Sequence, residues 1–260
     1  MGGSIRVEKQ GRVGYLLFDH PERRNAISTE MWRAIPGAAA ELAADDEVRV
    51  VVLRGTGETA FVAGADISEF ERSRTGESAR DYDVDGTRAF AALSNLEKPV
   101  LAAIHGFCVG GGVAIALTAD VRYASDDAVF AIPAARLGLG YGMAGVENLA
   151  QVVGLPAAKE IFFTASRFDA EAALRMRLVN RVLPKTELDG FVRDTAERIA
   201  ENAPLTVRSI KLSAREIARP HAQRDVDLAL RAVRACFESE DYREGVRAFM
   251  EKRTPRFQGR

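Results

Sequence analysis

The succession of two hydrophobic periods constrains this chain most. Up to Leu183, short runs rich in Val, Ile, Leu and Phe alternate with longer amphipathic stretches, and beyond it only the helical period remains. The runs Val13 to Phe18, Val48 to Leu53, Val100 to Ile104, Val121 to Ala124 and Val179 to Leu183 read as strands. Thr186 to Asn202, Leu205 to Ala218, Arg224 to Glu238 and Asp241 to Lys252 read as helices. This segregation predicts an α/β body over 1–200 followed by a helical region over 201–260. A first helix is expected from Ser28, whose hydroxyl can accept an orphan N–H of the first turn, to about Ala44. Pro36 inside it removes one N–H and predicts a kink or a break.

Composition excludes several classes of function. A net charge of −1 and no basic stripe leave no field for a polyanion, so nucleic acid is not an expected partner. Met1 to Arg6 hold no apolar run of the signal-peptide kind, and elsewhere Gly, Asp or Arg interrupts the apolar stretches well short of a membrane span. A cytoplasmic protein is expected, with no membrane contact. Cys108 and Cys236 stand far apart without a CxxC or His-rich neighbourhood, so they read as buried thiols rather than as a disulfide or a metal site.

Two glycine-rich segments carry the chemistry. Phe61-Val62-Ala63-Gly64-Ala65-Asp66-Ile67 leaves an apolar run through small residues and is expected to start a helix near Asp66. Gly110-Gly111-Gly112 follows the apolar strand ending near His105 and opens a second helix through Val113-Ala114-Ile115. Unpaired N–H groups at such a helix start attract an oxyanion or a polarised carbonyl. Alone, each segment is a weak signal, and a Gly triplet before a helix is more often a tight packing contact than a ligand site.

Together, in this order, they resemble the crotonase superfamily, the enoyl-CoA hydratase/isomerase family. The likeness runs through His20-Pro21-Glu22-Arg23-Arg24-Asn25-Ala26-Ile27, Phe61 to Ile67, Gly106 to Asp120, Pro133 to Gly138, and Glu244-Gly245 through Phe249 to Arg253. It implies a crotonase-type ββα spiral with a C-terminal helical trimerisation region. It also implies an acyl-CoA substrate, with coenzyme A part of the substrate and no separate cofactor or metal. In that family the amides at the positions of Ala65 and Gly111 form an oxyanion hole for a thioester enolate. The substrate-binding positions carried over are Arg23, Arg24, Ala26, Ala63, Asp66, Ile67, Gly110, Phe249 and Lys252. Arg23 and Arg24 match the pantetheine-phosphate arm. Phe249 and Lys252 match the adenine and 3′-phosphate contacts, often made from a neighbouring subunit, and i, i+3 spacing puts them on one helix face. A homotrimer or dimer of trimers is implied.

The family's hydratases carry two glutamates that hold water and exchange protons with it. Those positions here are Ala114 and Ala134, which can do neither, so crotonyl-CoA hydration is expected to be poor. The isomerase aspartate position is Gly142. An enolate can instead form by loss of CO₂. The runs Leu137 to Tyr141, Lys159 to Ser166 and Ser239 to Gly245 resemble the methylmalonyl-CoA decarboxylase branch, in which Tyr141 would orient the carboxylate or protonate the enolate. This chain departs from that branch with Ala65 in place of histidine and Ala114 in place of glutamate. The expected reaction is thus a decarboxylase-like lyase acting on a 2-carboxyacyl-CoA. The alternatives are an atypical hydratase/isomerase and a non-catalytic acyl-CoA binder. Asp66 reads first as a helix N-cap, Glu147, Arg136 and Glu69 as solvated charges, and His105 as a satisfied core imidazole. Tyr82, Asp83 and Arg88 lie in a polar segment to which no element is assigned.

Overall fold

The strongest apolar runs become neighbours in one sheet. A computed structural model describes residues 2–66 and 77–260, with the backbone alone at 77–80. Among the described residues the larger sheet has six strands, in the order β1 (Ser4–Gln10), β2 (Val13–Asp19), β3 (Val50–Gly55), β5 (Val100–Ile104), β7 (Val121–Ser125) and β10 (Arg181–Leu183). β1 is antiparallel to β2, and every other pairing is parallel. The smaller sheet orders β4 (Ala60–Val62), β6 (Phe107–Val109), β8 (Val129–Ala131) and β9 (Phe168–Asp169), with only β8 and β9 antiparallel.

β3 runs into β4, β5 into β6 and β7 into β8, so each turn of the chain gives one strand to each sheet. This is the ββα spiral. Its middle corner is Gly106, at φ 52, where a side chain would meet the Thr59 carbonyl oxygen at 2.0 Å. No other residue could make that turn.

In the central strands Val51, Leu53, Ala102 and Ile104 face one core, while Val50, Val52, Leu101 and Ala103 face another. Burial on both faces is why these parallel strands read as unbroken apolar runs. The helices are α1 (Thr29–Ala44), α2 (Glu77–Ser94), α3 (Gly111–Ala116), α4 (Met143–Val153), α5 (Leu155–Thr164), α6 (Ala170–Arg175), α7 (Lys185–Glu201), α8 (Pro204–Ala218), α9 (Val226–Glu238) and α10 (Glu240–Met250). α7 covers the second core through Leu188, Val192 and Ala196, whereas α8 and α9 pack mainly on each other. None of the described helices is long and apolar enough to cross a membrane.

Several expectations change. Ser28 caps α1 as expected, accepting the Met31 N–H at 3.2 Å, but the helix continues without a break through Pro36. Burial of Met31, Trp32, Ile35, Ala39 and Leu42 explains this, since each large side chain contributes ~1.5–3 kcal/mol against about 3 kcal/mol for an interior proline. The strands expected at Val48 and Val179 begin at Val50 and Arg181 instead. The glycine triplet does not follow the strand ending near His105, because β6 intervenes and belongs to the other sheet.

Candidate active site

Two loops leave the same end of two neighbouring strands. β4 and β6 are parallel, with Ala60 opposite Phe107 and Val62 opposite Cys108, so the segments 63–65 and 110–111 emerge side by side. The first is held by the turn after β2. The Ala63 N–H donates to the Arg24 carbonyl at 3.1 Å, Ile27 N–H to Gly64 at 2.8 Å, and Asp66 N–H to Ile27 at 2.9 Å. In this parallel bridge between Ile27 and Ala65, the flanking residues supply the bonds, so the Ala65 N–H points to the opposite side. Asn25, fully buried, fixes the start of β4 to the same turn: its amide donates to the Thr56 and Ala60 carbonyls at 3.1 and 2.8 Å, and its oxygen accepts the His20 N–H at 3.0 Å.

The second loop is held just as firmly. The Gly110 N–H donates to the Ala131 carbonyl at 2.8 Å, and a side chain at Gly112 would strike the Val62 carbonyl oxygen at 2.1 Å. Glycine there lets the start of α3 rest directly on β4. Gly111 opens that helix, so its N–H has no intrahelical acceptor. Neither the Ala65 nor the Gly111 N–H donates to any group among the described residues. With six residues, α3 offers these orphan donors more than a helix dipole.

Trp32 lies against this corner, its Cζ2 3.4 Å from where a Gly111 side chain would start. Its Nε1–H donates to the Tyr82 hydroxyl at 2.8 Å, and Phe90 packs edge-on at 5.2 Å. Both partners sit on α2, whose polar surface hid it in the sequence. Pro133 comes within 4.0 Å of a side-chain position at Gly110, which brings the turn carrying Ala134 beside the glycine triplet. Ala134 is buried and Ala114 half-buried, so two methyl groups border the loops. Tyr141 is half-buried, its ring 4.7 Å from Phe162 and against Gly145 at the start of α4, which packs on α3. Burial pushes its phenol pKa up, so the hydroxyl keeps its proton throughout the neutral range.

The remaining candidates are distributed as follows. Arg23 and Arg24 are exposed, with Arg23 3.9 Å from Asp66 and Arg24 stacked 4.6 Å over the Phe107 ring. Ala26 is buried and Ala63 half-buried beside them. Ile67 and Glu69 lie outside the described residues, as does the segment expected to be capped by Asp66. Glu147 and Arg136 are exposed, as expected. His105 is not fully satisfied: its Nε2 meets Asp189 at 2.9 Å, but its buried Nδ1 has no partner among the described residues. Asp189 and Arg54 place it on the α7 side of the large sheet, apart from the glycine loops.

Phe249 is 82% exposed. Lys252 does not share a helix face with it, because α10 ends at Met250 and Lys252 sits in left-handed backbone at φ 54. The Lys252 N–H closes on the Phe249 carbonyl at 3.2 Å and the Arg253 N–H on Ala248 at 3.0 Å. This is a Schellman closure with lysine where glycine is usual, a conformation costing about 1 kcal/mol. No cluster of three or more metal-binding side chains occurs among the described residues.

Comparisons with known proteins bear on the family and the fold. A family model described as enoyl-CoA hydratase/isomerase matches residues 8–260. The chain is 39% identical over 254 residues to a short-chain-enoyl-CoA hydratase of Clostridium acetobutylicum, covering 96% of this chain and 95% of that protein. It is 33% identical to a carnitinyl-CoA dehydratase of Proteus mirabilis, across the whole of both chains. The crystal structure of an enoyl-CoA hydratase/carnithine racemase from Magnetospirillum magneticum superposes with a TM-score of 0.94 at 34% identity, covering 98% of this chain and 96% of that one. The spiral, the paired glycine loops and near-full-length similarity make this chain a member of the enoyl-CoA hydratase/isomerase family, with the crotonase fold.

Proposed function

We propose that the chain binds an acyl-CoA thioester with its carbonyl oxygen between the N–H groups of Ala65 and Gly111, and that they stabilise the enolate formed there. The observation that carries this reading is the pair of outward-facing amides at the ends of adjacent parallel strands. One preorganised donor of this kind is worth about 2.7–4 kcal/mol as charge develops on the oxygen. Arg23 and Arg24 hold the phosphates of the CoA arm, while Ala26, Ala63, Asp66 and Gly110 line its path. Phe249 and Lys252 meet the nucleotide end.

The relatives' names favour addition of water to a short enoyl-CoA, or its reverse. This reverses the order set by the sequence, which ranked a decarboxylase-like lyase first. Water addition here proceeds without the two glutamates, and so at a rate lowered by about 10²–10⁴. The second reading, loss of CO₂ from a 2-carboxyacyl-CoA, keeps its support from Tyr141 and the two methyl groups. There the broken C–C bond leaves its electrons on the enolate, and the protonated Tyr141 hydroxyl supplies the proton.

A mass-spectrometric turnover panel of enoyl-, 3-hydroxyacyl- and 2-carboxyacyl-CoA thioesters tests both. Slow interconversion of crotonyl- and 3-hydroxybutyryl-CoA, exceeding any decarboxylation, is the expected outcome. Faster decarboxylation would promote the second reading, and Tyr141→Phe should then slow it at least about ten-fold. Tight binding without turnover of any member would leave an acyl-CoA binder.

The end-piece supports self-association into a homotrimer or dimer of trimers. Val226, Leu230, Val233 and Phe237 form an exposed stripe on α9, extended by Val246 on α10. An apolar surface of this kind is suited to another copy of the chain.

A further inference from the structure

The turn that closes α10 carries a lysine in an unfavourable conformation, and the residues around it hold it there. Arg253 follows Lys252 directly. Its Nη1 and Nη2 make a two-pronged contact with the Glu244 carboxylate at 2.6 and 2.9 Å, and its Nε meets Glu251 at 2.6 Å. Glu244 lies on α10 itself and also accepts the Arg256 N–H at 2.9 Å. The guanidinium, and after it that amide, hold its carboxyl at about 2. The strained turn is thus pinned to its own helix from both sides.

A second set of contacts ties the same helix to the body. Asp241, 3% exposed, accepts the Gln258 and Gly259 N–H groups at 2.6 and 2.7 Å. Phe257 packs 3.5 Å from a side-chain position at Gly245. The Phe257 carbonyl accepts a bond from Arg49 at 2.6 Å, and Arg49 also reaches the Ala200 carbonyl at 3.1 Å. The tail is a strap running from the turn at Lys252 to the edge of the spiral.

A left-handed lysine has no packing reason to persist. Lys252 is exposed, and a glycine would close the same turn without steric cost. Strain kept where the side chain is free in solvent points to use of that side chain. An exposed ion pair by itself contributes little to stability, but two-pronged geometry with extra acceptors fixes direction.

We infer that Glu244 and Arg253 are positioning residues that lock the turn after α10, so that Lys252 and Phe249 are presented to the nucleotide end of a coenzyme A thioester. This rests on the reading above that these two residues meet the nucleotide. The pair acts on affinity for the nucleotide arm and leaves the thioester end alone.

Titration calorimetry with butyryl-CoA and with butyryl-pantetheine, which lacks the nucleotide, separates the possibilities. Glu244→Gln should weaken butyryl-CoA by at least about five-fold and leave butyryl-pantetheine unchanged. Lys252→Gly removes the ammonium and relaxes the turn. It should weaken butyryl-CoA by about ten-fold while raising the melting temperature. Equal weakening of both ligands by Glu244→Gln would reduce the clamp to structural support and overturn the inference. Loss in Lys252→Gly with no loss in Glu244→Gln would overturn the positioning role and leave the nucleotide reading standing. Unchanged butyryl-CoA affinity in Lys252→Gly would overturn both.

Discussion

Restoring glutamate at both Ala114 and Ala134 is expected to raise crotonyl-CoA hydration by about 10²–10⁴, equivalent to about 3–5.5 kcal/mol of barrier. The register leaves room for little else. Ala114 stands in the first turns of α3 just beyond the Gly111 amide, and Ala134 follows Pro133 in the turn that borders Gly110. On the proposed reading, carboxylates at these two positions hold one water between them. Because they would share that water, either single variant should recover only a small part of the gain. Ala134 is buried, so its replacement will shift upward in pKa and cost some stability. Stopped-flow absorbance of the enoyl thioester measures the rate, and the melting temperature reports the cost. A natural enzyme that already hydrates crotonyl-CoA as fast as the double variant would show that another group supplies the protons.

Removing one of the two amides should have an effect of similar size and opposite sign. Gly111→Pro deletes the donor without deleting the helix, because proline is well tolerated at the first helical position, where the N–H lacks an intrahelical acceptor anyway. A side-chain carbon at 111 would lie 3.4 Å from Trp32, at the near limit of ordinary contact. The turnover number should fall by about 10²–10³ while the affinity for the CoA arm changes little. Circular dichroism that matches the unmodified protein would establish that the fold survived. A rate within a factor of about two of the original would mean that this amide is not where charge develops.

What could be read from the chain depended on which atoms carry the chemistry. β3, β5 and β7 are buried on both faces and announce themselves as apolar runs. β4, β6 and β8 span three residues each, too few for a period, and the glycines and alanines that follow them look like loop. The second sheet is therefore not legible in the sequence, although it aligns the two amides. α2 was missed because Glu77, Arg80, Asp81, Asp83, Asp85 and Arg88 make it polar, and with it went the contact of Trp32 with Tyr82. Backbone donors leave no side-chain signature, so Ala65 and Gly111 were legible through family likeness and not through their own chemistry. The i, i+3 spacing misplaces Lys252, because it assumes a helix that the Schellman closure has already ended.

The thioester carbonyl is proposed to sit between these two amides. Infrared difference spectroscopy of butyryl-CoA carrying a ¹³C label at the carbonyl tests it most directly, because hydrogen bonds to the oxygen weaken the C=O bond and lower its stretching frequency. On binding, the band should move to lower frequency than in water and sharpen, and in Gly111→Pro most of that shift should vanish while the ligand stays bound. A carbonyl band at its aqueous position in the unmodified complex would contradict the assignment.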